Sequence, residues 1–81
     1  MSHSITLTAD ERATLLDYLR RSPDPALRSR AHIILLLADG LPWATLTAVL
    51  FCSSRTVARW QDRFRGGRVA ALLGQPREFQ S

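Results

Sequence analysis

The feature that most constrains this chain is the stretch from Leu41 to Phe64, which holds two helix signals separated by only a few residues. Leu41-Pro42 opens a short segment with Leu46, Val49 and Leu50 on its inward side. Phe51-Cys52 follows as a tight turn, and Ser53 then stands where a helix N-cap belongs. Val57, Trp60 and Phe64 recur at i, i+3 and i+7 in the second segment, one apolar stripe of a helix. Two helices joined so tightly must cross steeply. The second can then be pinned by its apolar stripe while its other side stays open.

The remainder supplies what those two helices pack against. Thr8-Ala9-Asp10-Glu11 is a capping-box pattern, and Leu15, Leu16 and Leu19, with Tyr18 at the edge, make one apolar face. The spacing predicts a helix from about Ala9 to Arg21, ended by Ser22-Pro23. Asp24-Pro25 restarts the chain as N-cap and first helical residue. Leu27, Ala31, Ile34, Leu35 and Ala38 form a stripe that Ile33, Leu36 and Leu37 widen, marking the most buried helix, and Gly40 ends it. Gly66-Gly67 is expected to break the last main helix, and Val69 to Leu73 to add a short helical turn. The reading is an all-α domain with four main helices, near 9–21, 25–39, 42–50 and 53–65, and no sheet. Residues 1–7 are read as a tail, 8–73 as the domain and 74–81 as a linker or tail.

At 81 residues there is room for one domain of marginal stability. A single cysteine, Cys52, excludes an internal disulfide and reads as a small apolar plug, and His32 as a packed or rim residue. No His/Cys cluster has metal-ligand spacing, no Gly-rich loop follows a strand, and the acids are scattered. No catalytic residue, metal, cofactor or small-molecule substrate is therefore expected, and the chain is not read as an enzyme. The longest apolar run, Ile33 to Ala38, is too short to span a bilayer, and Met1 to Thr6 lacks a signal-peptide pattern. A cytoplasmic location is the expectation.

Charge points to the partner. Eleven arginines and no lysine outweigh seven acids, for a net charge of +4. The acids gather in the first half, whereas six arginines lie from Arg55 to Arg77. A short helix, a tight turn and a capped second helix with arginines on its free side form the helix-turn-helix pattern, which docks in the DNA major groove. The candidate contacts to double-stranded DNA are Ser53, Ser54, Arg55, Thr56, Arg59, Arg63 and Arg65. Arg55 and Arg59 suit base edges, and Arg63 and Arg65 suit phosphates, with Arg68 and Arg77 as weaker candidates of the second kind. Trp60 is read as core, and Trp43 as core or edge.

The stretch Ala38 to Phe64 resembles the N-terminal DNA-binding domain of bacterial mariner-related insertion-sequence transposases, a paired-type, homeodomain-like helix-turn-helix. The likeness rests on Ala38-Asp39-Gly40-Leu41, on Ser53-Ser54-Arg55-Thr56-Val57, on Arg59-Trp60 and on Phe64. Arg65 to Arg77 is similar to the Gly-Leu and Pro-Arg segment that closes such domains, so the likeness spans roughly residues 5 to 78. It implies recognition of terminal inverted repeats. Two positions depart from the pattern: Thr47 stands where the family has Ala, and Phe51 where it has Gly in a turn that favours positive φ. The three-carboxylate nuclease domain of such transposases is not contained in these residues, so its activity is not carried over. Two other readings fit the same residues: a stand-alone regulator, or a helical interaction module, including a homodimer, built on Ile33, Leu36, Leu37 and Trp43.

Overall fold

The computed structural model describes residues 5–73, which form four helices in the order α1 (Ala9–Arg21), α2 (Pro25–Ala38), α3 (Trp43–Leu50) and α4 (Ser54–Leu72). Among the described residues there is no strand. The fold is all-α, as the capping pattern requires. Thr8 Oγ1 accepts from the Glu11 amide while Glu11 Oε1 accepts from the Thr8 amide, both at 3.0 Å, a complete capping box. Asp24 caps α2 through the Ala26 amide with Pro25 in the first turn, and Ser53 caps α4 through the Thr56 amide. Pro42 is the N-cap of α3 and makes no side-chain cap bond.

Helices α2 and α4 each pack against all three others, whereas α1 and α3 do not meet. The core lies between that central pair. Ala31, Ile33, Ile34, Leu35 and Leu37 of α2 are buried, as are Leu15 of α1, Leu46 of α3, and Val57, Trp60, Phe64 and Leu72 of α4. Burial of each large apolar side chain contributes about 1.5–3 kcal/mol, so no single helix could hold this arrangement alone. Ile5 is also buried, and Leu7 packs against the same core. The segment before α1, expected as a tail, therefore contributes to the interior from Ile5 onward.

Two local expectations are corrected, and one buried residue had no expectation attached. Val49 is 54 % exposed rather than inward-facing. The buried side of the eight-residue α3 runs through Leu46, flanked by Trp43 and Leu50 at i−3 and i+4, and Val49 falls off that line. The glycine pair does not stop α4 at Arg65. The helix runs through Gly66 and Gly67, and the break comes one residue later, at Arg68 (φ 57°, ψ −145°). The short turn that follows brings Leu72 into the core, with the Arg30 guanidinium donating to the Leu72 carbonyl at 3.1 Å. Finally, Gln61 is buried on the inner side of α4 between Val57 and Phe64, a polar residue on a face that the apolar spacing alone does not reveal.

Phe51 takes the left-handed conformation that the turn demands (φ 55°, ψ 45°), and its side chain is left 93 % exposed. The geometry of the turn is thus kept without its usual glycine. Thr47 is accommodated too: it is half-buried, and its hydroxyl donates to the Ala44 carbonyl of its own helix at 3.0 Å.

Candidate nucleic-acid interface

Helix α4 has two sides of opposite character. Its inner side carries Val57, Trp60, Gln61 and Phe64, all buried. With 3.6 residues per turn, Arg55, Arg59, Asp62 and Gly66 fall together on the outer side, all exposed. Arg63 lies on one flank, and Ser54 and Arg65 on the other. The inner stripe fixes the helix against α2 and α3; the outer stripe is left to solvent.

The arginines divide by what they already hold. Arg12 reaches Asp39 at 3.4 Å, Arg21 pairs with Asp17 at 3.2 Å within α1, and Arg68 pairs with Glu11 at 2.7 Å. Arg28 donates to the Ser22 carbonyl at 2.6 Å, and Arg30 to that of Leu72. Apart from the Arg21–Asp17 pair inside α1, these side chains tie helices and their caps to one another. Arg55, Arg59 and Arg65, by contrast, are exposed and form no ion pair with the described residues. All three project from α4; Arg20, in the last turn of α1, is likewise exposed without an ion pair among the described residues.

Arg63 is exposed but oriented, its guanidinium 5.1 Å from the centre of the Trp60 ring. Arg30 from α2 stacks on the same ring at 4.5 Å. Trp60 is thus both core and the platform on which two cations rest. Sequence reasoning assigned Arg30 no role, because its partners lie 30 and 42 residues away and no local pattern announces them. Arg68, a weaker phosphate candidate by sequence, is committed elsewhere: two of its nitrogens meet Glu11, one also reaches the Thr6 carbonyl, and its guanidinium lies over the Phe64 ring. Its hydrogen bonds to Glu11 pull that carboxyl's pKa from 4.5 down to about 2, with the Thr8 amide assisting. Arg77 lies outside the described residues.

At the N-terminal end of α4, Ser53 and Ser54 are exposed and Thr56 is half-buried. The Ser53 and Thr56 hydroxyls lie 3.2 Å apart, and Ser53 also holds the Thr56 amide. Both therefore shape the cap, and Ser54 presents a small side chain beside them. Among the described residues no group of His, Cys, Asp or Glu could hold a metal ion, and no helix is long and apolar enough to cross a membrane.

A family model described as a homeodomain-like domain matches residues 24–73. The chain belongs to the homeodomain-like family. That match begins at Asp24, the cap of α2, and ends at Leu73, directly after α4, so the homeodomain-like unit is α2, α3 and α4. In that family α3, the turn at Phe51 and α4 are a helix-turn-helix of the DNA-binding type. Helix α1 lies before the matched stretch and is joined to the unit by Leu15 in the core and by the Glu11–Arg68 pair. No curated protein and no solved structure matches the chain.

Proposed function

We propose that this domain binds double-stranded DNA sequence-specifically, with α4 as the recognition helix in the major groove. The observation that carries the reading is the sorting of arginines: most elsewhere are bonded within the fold, whereas α4 presents Arg55, Arg59 and Arg65 without acidic partners among the described residues. In the proposed complex Arg55 and Arg59, on the outer stripe, face base edges, where a guanidinium reads guanine O6 and N7 bidentately. Asp62 shares that stripe, and a carboxylate there suits the amino group of cytosine and is repelled by phosphates. Arg63 and Arg65, on opposite flanks, meet phosphates. Ser53, Ser54 and Thr56 allow close approach of the helix end. The chemistry is binding alone, with no catalytic step.

We further propose, from the likeness at residues 38–64 and 65–77, that the domain serves a mobile-element transposase and recognises terminal inverted repeats. Selection from random duplex DNA at near-physiological salt tests both parts. One enriched motif containing guanine, and matching the repeats that flank the encoding gene, is expected. Absence of any enriched motif would overturn specific binding; a motif absent from such repeats would overturn the transposase role.

A further inference from the structure

A second basic element lies beside the recognition helix. An open groove of about 440 Å³ runs between α2 and α4 and is closed at one end by the α3–α4 turn. Ser29, Arg30 and Ile33 of α2 form one wall, Arg59 and Trp60 of α4 the other, and Phe51 stands at the rim. No carboxylate lines it. The guanidiniums of Arg30 and Arg63 stack on one ring at 4.5 and 5.1 Å, so their charges are no more than about 10 Å apart.

We infer that this groove seats the phosphodiester backbone of one DNA strand, with Arg30 of α2 as a phosphate contact outside the helix-turn-helix. The inference rests on the DNA-binding reading above. An α-helix with its side chains is about 10–12 Å across, and the major groove is about 12 Å wide, so both flanks of a docked recognition helix meet backbone. Arg59 belongs to the outer stripe of α4 and to the groove wall alike, which makes the groove a lateral continuation of the DNA-facing side. A sugar-phosphate chain alternates charged and apolar parts. The groove offers both: guanidiniums for the phosphates, and the exposed Phe51 ring with the half-buried Leu50 for the deoxyribose faces. Arg30 uses one nitrogen on the Leu72 carbonyl, and a guanidinium has five N–H donors.

Because Arg30 also supports Trp60, the decisive variant is Ser29→Asp, which sets a carboxylate on the groove wall at an exposed helical position and leaves the core untouched. Ala13→Asp, exposed on α1, makes the same change in net charge away from the groove. Both 81-residue variants and wild type are titrated against the selected duplex and a scrambled one over a salt series. Each phosphate contact contributes about 0.9 to the salt slope, so losing one costs roughly eightfold at about 0.1 M salt. Ser29→Asp is expected to weaken both duplexes by about that factor, leaving their ratio unchanged, and Ala13→Asp by about twofold or less. Arg30→Gln is expected to lower the salt slope by about one unit. Equal losses for the two Asp variants would overturn the proposal and leave the groove to a protein partner. If wild type binds no duplex, the DNA-binding reading itself fails and takes this site with it.

Discussion

Arg68 holds Glu11 with two nitrogens, Nε to Oε2 at 2.9 Å and Nη2 to Oε1 at 2.7 Å, joining the break in α4 to the first turn of α1 across 57 residues. The same Glu11 closes the capping box of α1. One carboxylate therefore serves a local cap and a long-range tie, and its pKa of about 2 reflects the anionic form that both require. Because the folded-state pKa lies below the ordinary 4.5, the stabilisation is fully present above pH 4.5. It is lost as pH falls towards 2. Thermal unfolding between pH 7 and pH 2 should show the melting temperature falling across that window. Glu11→Gln should melt lower than wild type at pH 7 and lose less across the window. A variant that tracks wild type at every pH would show that the pair does not couple to folding.

The neighbouring glycines differ in what they tolerate. A Cβ at Gly66 meets nothing within 4 Å, whereas one at Gly67 comes within 2.9 Å of the Ala71 Cβ, because the break at Arg68 folds the last turn back on it. Gly66→Ala should raise stability by about 0.5–1 kcal/mol, the usual gain of Ala over Gly within a helix. Gly67→Ala should lower it despite the same propensity gain. Urea denaturation of both variants decides; stabilisation by Gly67→Ala would mean that the last turn moves away without cost.

Phe51 sits at φ 55° with its side chain exposed, so it bears left-handed strain without gaining burial. Phe51→Gly should stabilise the domain by about 1 kcal/mol, the strain of order 1–3 kcal/mol being partly offset by the greater freedom of glycine when unfolded. A drop in melting temperature would show that the ring makes a stabilising contact.

Trp60→Ala should cost roughly 3–5 kcal/mol, as for large core aromatics, and in a domain of this size that is most of the stability. Calorimetry showing a transition within a few degrees of wild type would contradict its place in the core.

For binding, Arg59→Ala should cost about 1–3 kcal/mol on the selected duplex and relax preference at one base pair. Arg63→Ala should weaken all duplexes alike and lower the salt slope by about one unit. Equal losses on selected and scrambled DNA for Arg59→Ala would reassign it to the backbone.

Much of this was legible because it is local. Thr8, Asp24 and Ser53 announce helix starts through hydrogen bonds to amides two or three residues away, and those bonds are present. The spacing of Val57, Trp60 and Phe64 likewise dictates which side of α4 is buried and which side is open. What the chain did not disclose depends on partners far along it. The Gly66-Gly67 pair looked like a helix end, yet the turn is made at Arg68, whose unfavourable backbone is held by Glu11 and Thr6 more than 50 residues earlier. Arg30 carries no local signal, and its role shows only where α2 and α4 meet at Trp60. Val49 was misplaced because an eight-residue helix has too few turns for its spacing to define an inward face.

The stacking of Arg30 and Arg63 on Trp60 gives the domain a built-in optical signal. The chain has two tryptophans, and replacing the half-buried Trp43 by Phe leaves Trp60 as the sole indole emitter. A guanidinium that leaves the ring, or is drawn closer to it, alters the field at the indole and so its emission. Fluorescence of a Trp43→Phe chain thus reports directly on how these two cations respond to an arriving polyanion, with no dye attached.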